Sequence, residues 1–246
     1  MKAEVNHCYN SSNNEVINMN VYDNITQTAK LISDATRMSM LMELSGMHSL
    51  TAKELAKSAK VSPQTASSHL KKLIEGNLII SRKQGRHKYY QLASENVAQA
   101  IESIANISGP LVANSLNSTS KKKKLEFART CYGHLAGELG VAITEGLIKK
   151  GYLLESDSTY YKLTKYGKIW FENLGINISN LNIQTDYLAL HIDWTMRKNH
   201  LAGPLSLALT KHFLNSGWIK EGNMKREIIL TRCGEAFLYK ELGINL

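Results

Sequence analysis

The side chains best suited to binding chemistry lie between Thr51 and Leu92, where basic residues are concentrated. This segment holds nine cations against two anions, Glu54 and Glu75. The cations are Lys53, Lys57, Lys60, Lys71, Lys72, Arg82, Lys83, Arg86 and Lys88. A solvated helix surface would explain each lysine singly but not their coincidence with one structural motif. Clustered cations displace the counterions condensed on a nucleic-acid duplex, so the pattern favours duplex binding.

Polar side chains that could read bases follow the dipeptide Ser62-Pro63. Gln64 can pair with adenine N6 and N7 in a major groove about 12 Å wide. Thr65 and Ser68 can bond to phosphate or base, and His69 can do either. We therefore expect the polar first half of a helix beginning at Pro63 to face base edges.

The capping signals of two short helices position these side chains. Thr51-Ala-Lys-Glu54 is a capping box that predicts a helix over 52–59. In Ser62-Pro63, the serine caps the next helix and the proline suits its first position, while Gly76 is suited to a left-handed cap at its end. Ala66, Leu70 and Leu73 form the predicted inward stripe. The polar residues left on the other sides are Gln64, Thr65, Ser67, Ser68, His69, Lys71 and Lys72.

A β-hairpin is predicted after Gly76. Residues 78–82 and 88–92 read as its strands, and residues 83–86 as a turn in which Gly85 takes a positive φ. Tyr89 and Tyr90 alternate across a strand, so we expect one to be core and only one to face DNA. Two short helices followed by a basic-tipped hairpin predict a winged helix-turn-helix. Arg82, Lys83, Arg86 and Lys88 on this wing would grip phosphates or the adjacent minor groove.

The segments flanking this motif are predicted to be helices. Apolar periodicity favours helices over 25–32, 38–44 and 95–107, the last with Val97, Ile101 and Ile104 on one stripe. Gly109-Pro110 should end that helix. Residues 1–24 are polar and Asn-rich, which favours a flexible N-terminal arm.

The segment over residues 26–107 resembles the ArsR family of bacterial winged-helix regulators. The residues that carry the resemblance are Leu55-Ala56, Val61-Ser-Pro-Gln-Thr-Ala-Ser-Ser-His-Leu70, Leu73, Gly76, Leu78 and Gly85-Arg86-His-Lys-Tyr-Tyr-Gln-Leu92. It implies a homodimer made through the helices near 25–32 and 95–107, a palindromic operator, and repression released by an effector. The resemblance also implies that five side chains face the DNA, those of Ser62, Gln64, Ser67, Ser68 and His69.

The sequence departs from this family where its known metal sites lie. Members that sense thiophilic metals carry Cys-x-Cys before the turn, whereas residues 50–56 hold no cysteine. Others use Asp and His on the last dimer helix, and residues 95–107 contain no histidine. Neither metal site can be carried over, so the sequence assigns no metal ligands and leaves the cofactor unknown.

The second half contains an internal repeat after a compositional break. Residues 109–126, with a Ser/Asn-rich stretch and a lysine run at 121–124, are interpreted as a linker between a winged-helix domain over 25–108 and a second domain over 127–246. His134-Leu-Ala-Gly137 matches His200-Leu-Ala-Gly203, and each copy reads as a helix, a hairpin and a helix. The predicted fold is mainly α with small β-hairpins (α+β): an N-terminal winged helix-turn-helix plus two helix-hairpin-helix repeats. This C-terminal half resembles the extension of long-form ArsR-like proteins.

A polar cluster precedes the first helix in each repeat. The clusters comprise Arg129, Cys131, Tyr132 and His134, and Asp193, Trp194, Arg197 and His200. If the repeats face each other, the clusters could converge on one effector pocket with aromatic walls. The alternative is that the two histidines cap or bridge within the domain and that the aromatic residues are core.

Cys131-x-x-His134 admits further chemistry. It could be half of a soft-metal site or a redox-active thiol, acting in a module that works through protein contacts. A Cys/His-dependent enzyme would need an orienting group and an oxyanion site, which the sequence does not identify. With two candidate ligands only, we interpret Cys131 as an inert buried cysteine and the protein as a regulator rather than an enzyme.

Composition agrees with a folded DNA-binding protein. The 246 residues are 43% hydrophobic, enough for two domains, and the formal net charge of +9 favours an anionic partner. Cys8, Cys131 and Cys233 are odd in number and widely spaced, which argues against a disulfide framework. Neither a signal peptide nor an apolar run of about 18 residues is evident, so we expect a cytoplasmic location without membrane insertion.

Overall fold

The computed structural model describes residues 21–46, 49–108, 116–157, 160–181, 183 and 186–246. Most of the predicted N-terminal arm and the Gly109-Pro110 helix stop lie outside these ranges. Within them, no helix combines the length and apolar composition needed to cross a membrane.

The winged helix-turn-helix is confirmed over the N-terminal part, residues 21–108. Its helices are α1 (Asp23–Ile32), α2 (Ala35–Leu44), α3 (Ala52–Ser58), α4 (Pro63–Glu75) and α5 (Glu95–Ile107). Strands β1 (Leu50–Thr51), β2 (Ile79–Gln84) and β3 (His87–Leu92) form an antiparallel sheet in the order β1-β3-β2. We call this part the winged-helix region.

Local signals account for the motif. Thr51 and Glu54 form the predicted capping box, and Ser62 Oγ accepts a hydrogen bond from the amide of Thr65 at 3.1 Å at the start of α4. The predicted stripe of α4 is buried, with Ala66, Leu70 and Leu73 at most 1% exposed. Tertiary packing then joins α4 to α2, α3 and β2 in one core.

The prediction for Gly76 was wrong in its conformation. Its φ is −85°, and Asn77 takes the left-handed conformation instead, with φ of 56°. A Cβ on Gly76 would lie 2.1 Å from Cδ1 of Leu31 in α1. Glycine is therefore needed at position 76 because α1 packs closely against it. The residues next to Gly76 in the sequence do not indicate this contact.

Two further features differ from the sequence prediction, the buried face of α5 and the segment after it. On α5 the buried residues are Ala98, Ile101 and Glu102, so a carboxylate lies on the inward face where an apolar stripe was predicted. Part of the predicted linker is helical, since α6 spans Leu116–Phe127. Its lysine run holds no helix breaker, and Lys122 pairs with Glu126 one turn on.

The C-terminal region, residues 116–246, continues with two hairpin-helix-hairpin-helix runs. The first contains β4 (Arg129–Cys131), β5 (His134–Ala136), α7 (Gly137–Lys149), β6 (Leu153–Asp157), β7 (Tyr160–Leu163) and α8 (Lys165–Asn173). After a 3-10 turn at Ile178–Asn180, the second contains β8 (Tyr187–Ile192), β9 (Asn199–Leu201), α9 (Gly203–Asn215), β10 (Ile219–Glu221), β11 (Ile228–Leu230) and α10 (Arg232–Leu242). The sequence prediction lacked the first hairpin of each run.

Side chains from both runs share a core that is separate from the winged-helix core. Leu139 and Phe171 of the first run pack in one cluster with Leu205 and Phe213 of the second. Strands β6 to β9 form a four-stranded antiparallel sheet across the two runs. This sheet and the hairpin β4-β5 hold the polar residues described below.

Candidate DNA interface and a buried histidine cluster

The first half of α4 presents polar side chains to solvent. Gln64, Thr65 and Ser68 are exposed, and so is the capping residue Ser62. Ser67 is also exposed, and its Oγ donates to the carbonyl of Pro63 at 2.9 Å. The helix turn that we expect to face bases is therefore open to a ligand.

His69 differs from its neighbours on α4. Its Nδ1 lies 3.5 Å from both Asp34 Oδ1 and Arg37 Nη1, and its side chain is 17% exposed. The carboxylate of Asp34 caps α2 by accepting from the amide of Arg37 at 2.9 Å, a bond that lowers the pKa of Asp34. The structure thus directs the imidazole towards α2 and away from the open face.

The hairpin β2-β3 carries the basic wing. Gly85 takes the predicted positive φ, 59°, in its turn. Lys83 and Lys88 lie directly opposite each other across the strands. Like charges in this register repel, so an anion against the wing would relieve them. Tyr90 is buried while Tyr89 is half-buried, as alternation along the strand predicted.

Exposure separates the predicted DNA contacts into two groups. Only His69 among them is half-buried. The exposed ones are Ser62, Gln64, Thr65, Ser67, Ser68, Lys71, Lys72, Arg82, Lys83, Arg86 and Lys88.

The two hairpins β4-β5 and β8-β9 bring one cysteine and three histidines together. Cys131 pairs with His134 across the first hairpin, and His191 pairs with His200 across the second. Tyr132 and Gly133 close the first hairpin with φ of 48° and 83°, the positive values that a tight two-residue turn requires. Cys131 Sγ lies 3.9 Å from His191 Nδ1. We call Cys131, His134, His191 and His200 the buried histidine cluster.

The three imidazoles of this cluster are buried, and burial lowers the pKa of each. His134 and His200 are 0% exposed, and burial lowers the pKa of each to about 3. His134 Nε2 accepts a hydrogen bond from the amide of Gly203 at 3.0 Å, which caps α9. In contrast, neither ring nitrogen of His200 has a hydrogen-bond partner among the described residues. An unpaired buried polar group costs roughly 1–3 kcal/mol, so His200 calls for an explanation.

Cys131 is held as a thiol in this structure. Burial, followed by the nearby Glu102 carboxylate, raises the pKa of Cys131 well above its usual value. Nucleophilic cysteines need the opposite shift, because the thiolate is the reactive form. The raised pKa therefore disfavours the thiolate form of Cys131.

Arg129 and Asp193 form a second buried group beside the cluster. Arg129 Nη2 lies 2.8 Å from Asp193 Oδ2, and its guanidinium lies over the ring of Trp194 at 4.8 Å. Burial opposes ionisation of Asp193, but Arg129 and hydrogen bonds including one from Gly137 outweigh it and hold its pKa at about 2. Asp193 caps α7 through that bond, at 2.6 Å from the amide of Gly137.

Two of the predicted effector residues lie apart from this group. Arg197 is exposed in the turn of the second hairpin, with φ of 54°. Tyr132 is half-buried and packs against the core of the winged-helix region. The structure thus brings together Arg129, Asp193 and Trp194, and separately Cys131, His134 and His200.

Two carboxylates and one guanidinium connect the winged-helix region to the C-terminal region, and the sequence analysis missed all three. Arg226, between β10 and β11, donates to Glu102 Oε1 on α5 at 2.7 Å and to the Met42 carbonyl on α2 at 3.1 Å. Glu95 Oε1, at the start of α5, lies 3.6 Å from His191 Nε2. The one local signal was the position of Glu102, four residues after the buried Ala98, which places a charge on the inward face.

An exposed polar helix beside a basic hairpin defines a DNA-binding winged-helix regulator. A family model described as a helix-turn-helix domain matches residues 32–82. The Bacillus subtilis (strain 168) protein named uncharacterized HTH-type transcriptional regulator YdfF is 38% identical over 224 residues, 91% of this chain and 99% of that protein. The arsenical resistance operon repressor of Staphylococcus aureus is 32% identical over 71 residues, 29% of this chain and 67% of the repressor.

A solved structure was also matched. It is the solution structure of a homodimeric winged helix-turn-helix DNA-binding domain from Mycobacterium bovis, a possible ArsR-family transcriptional regulator. The match has 24% identity and a TM-score of 0.34, and covers 36% of this chain and 81% of that one. Because of its similarity to the Bacillus subtilis and Staphylococcus aureus proteins, this chain belongs to the ArsR-type family of helix-turn-helix transcriptional regulators. It is a regulator and not an enzyme.

Proposed function

We propose that this protein is a homodimeric repressor that binds a palindromic operator and is modulated by an effector in its C-terminal region. The observation that carries the proposal is the open face formed by the first half of α4 and the wing. Eleven of the twelve expected DNA contacts, which lie on α4, at its cap Ser62 and on the wing, are exposed. As a DNA-binding regulator it would act in the cytoplasm.

The dimer is supported by apolar side chains that the single chain leaves uncovered. None of the ten residues of α1, all within the described part of the chain, is buried. Ile25 on α1 is 67% exposed and Ile107 at the end of α5 is 82% exposed. A second copy would cover these helices, which are those that the family resemblance assigns to the dimer contact.

Effector control is supported by the junction between the two regions. We assign residues 127–246, the duplicated part of the C-terminal region, as the effector domain. Its Arg226 and its histidines contact α5 through Glu102 and Glu95. A ligand that shifted these contacts would move α5 and, with it, the relative placement of two recognition helices in a dimer.

A gel shift tests the proposal. Labelled duplex from upstream of the gene for this protein should be retained when unlabelled unrelated DNA is present in excess. Equal competition by unrelated DNA at low salt, with folded protein, would contradict sequence-specific binding.

A further inference from the structure

We infer that Cys131, His191 and His200 bind one transition-metal ion of the zinc class, and that Glu95 orients His191 from the winged-helix region. The sequence analysis found only two candidate ligands, Cys131 and His134. The structure adds His191 and His200 from the second hairpin, more than 50 residues further along the chain.

The ligand atoms are already close to a coordination geometry. One atom from each of Cys131, His191 and His200 lies within 4.8 Å of the other two. Zinc–sulfur and zinc–nitrogen bonds of about 2.3 and 2.0 Å place tetrahedral ligands about 3.5 Å apart. The 3.9 Å between Cys131 Sγ and His191 Nδ1 is near that value, so small side-chain movements would close the site.

The unpaired nitrogens of His200 are the independent sign of a ligand. The ring is fully buried, and both of its nitrogens lack a hydrogen-bond partner among the described residues. A buried polar group without a partner is unusual in a native protein and is commonly explained by a water or an ion. A metal–nitrogen bond would give one of the two His200 nitrogens a partner, whereas His134 already accepts the amide of Gly203 through Nε2 and leaves only Nδ1 unpaired.

The donor set decides the kind of ion. One thiolate and two imidazoles suit zinc or a similar borderline-soft ion, whereas magnesium and calcium prefer oxygen ligands. Binding replaces the proton on Cys131 Sγ with a metal–sulfur bond. The proton passes to solvent, and no oxidation state changes.

Glu95 lies where the outer hydrogen-bond partner of a metal-bound histidine is usually found, 3.6 Å from His191 Nε2. His191 faces Cys131 with Nδ1 and Glu95 with Nε2, so the metal and the carboxylate would lie on opposite sides of the ring. A carboxylate in this place fixes the tautomer and the orientation of the ligand. Glu95 begins α5 three residues after the wing strand ends at Leu92, so the ion would be connected to the DNA-binding surface. This last step rests on the proposed function.

Titration of the chelator-treated full chain with Co²⁺, followed by Zn²⁺, tests the site. One Co²⁺ per chain should give visible tetrahedral bands and a thiolate-to-cobalt charge-transfer band, and Zn²⁺ should abolish both. The Cys131→Ser variant should lose the charge-transfer band and His200→Gln should lose stoichiometric binding. Matched controls, Cys8→Ser with Cys233→Ser and His212→Gln, should bind as the parent does.

A second measurement needs no variant that could fail to fold. X-ray absorption of the zinc-loaded parent should report one sulfur at about 2.3 Å and nitrogen or oxygen ligands at about 2.0 Å. Absence of bound Co²⁺ and Zn²⁺, a shell without sulfur, or binding that depends on Cys8 or Cys233 would overturn the inference.

The Glu95→Gln variant tests whether the metal site is connected to DNA binding. This variant should still bind one Co²⁺, with affinity reduced about 10–100-fold, and should lose any effect of saturating Zn²⁺ on operator affinity. Unchanged operator affinity of the parent on Zn²⁺ saturation would overturn the connection. Failure of DNA binding with metal bound contradicts the proposed function and leaves the site standing, whereas DNA binding by protein that takes up no metal contradicts the site alone.

Discussion

Arg226 Nη2 lies 2.7 Å from Glu102 Oε1, and both side chains are buried, so an ion pair joins the C-terminal region to α5. Arg226 also donates to the carbonyls of Met42 and Thr130 at 3.1 and 2.9 Å. One guanidinium therefore contacts α2, α5 and β4 together. This contact connects the C-terminal region, which we propose to bind an effector, to the helix that we assign to the dimer interface.

Replacing Arg226 with alanine should reduce the free energy of unfolding by about 3–5 kcal/mol. The reason is that Glu102 would remain buried without its nearest cation. Urea denaturation of the full chain measures this loss. Arg232→Ala, an exposed arginine on α10, is the control and should change stability by about 0.5 kcal/mol or less. A loss below about 1 kcal/mol for Arg226→Ala would show that the pair does not hold the regions together.

Substitutions of Gln64 and Arg86 should distinguish base recognition from phosphate binding. Gln64→Ala should alter preference at one operator position, because its amide is expected to pair with a base. Arg86→Ala should weaken binding to all sequences and make the dependence of log affinity on log salt shallower by about one unit. Fluorescence anisotropy over a salt series with operator and scrambled duplex measures both. A uniform effect of Gln64→Ala on the two duplexes would remove its assigned role.

Reversing the charge of Lys83 should separate folding from DNA binding. A glutamate at position 83 would face Lys88 across the hairpin as an opposite charge, so thermal stability should be retained or slightly increased. Operator affinity at low salt should nevertheless fall by at least about tenfold, since one phosphate contact is lost and a repulsion is added. Retained affinity in Lys83→Glu, with the expected stability, would mean that the wing does not touch DNA.

A charge on α1 should disrupt the dimer. Ile25→Glu should sediment as a monomer at concentrations where the parent is dimeric, because the carboxylate would be buried against the second copy. Ile169→Glu provides the control, since Ile169 on α8 is a similarly exposed isoleucine, at 51%, outside the expected interface. Equal dimerisation of Ile25→Glu and the parent in sedimentation velocity would place the interface elsewhere.

The winged helix could be predicted from sequence because its determinants are local. The capping box at Thr51 and Glu54, the stripe at Leu70 and Leu73, and the turn at Gly85 each depend on residues within one or two turns of chain. The structure has all three as predicted. Gly76 was predicted incorrectly because its neighbour is Leu31, more than 40 residues earlier.

The buried polar groups could not be predicted because they depend on long-range contacts. Arg226 and Glu102 are 124 residues apart, and no periodic pattern connects them. His191 meets Cys131 only because the two hairpins pack together, 60 residues apart in sequence. The matching His-Leu-Ala-Gly segments indicated where to look, but not which side chains would face each other.

DNase I footprinting of the upstream DNA at low salt tests the central claim most directly. A dimer placing two α4 helices in successive major grooves should protect two inverted half-sites about one helical turn apart, some 34 Å between centres. Lys83→Glu should lose this protection while remaining folded. No discrete protection by intact, folded parent protein, or a footprint unchanged in Lys83→Glu, would contradict the account.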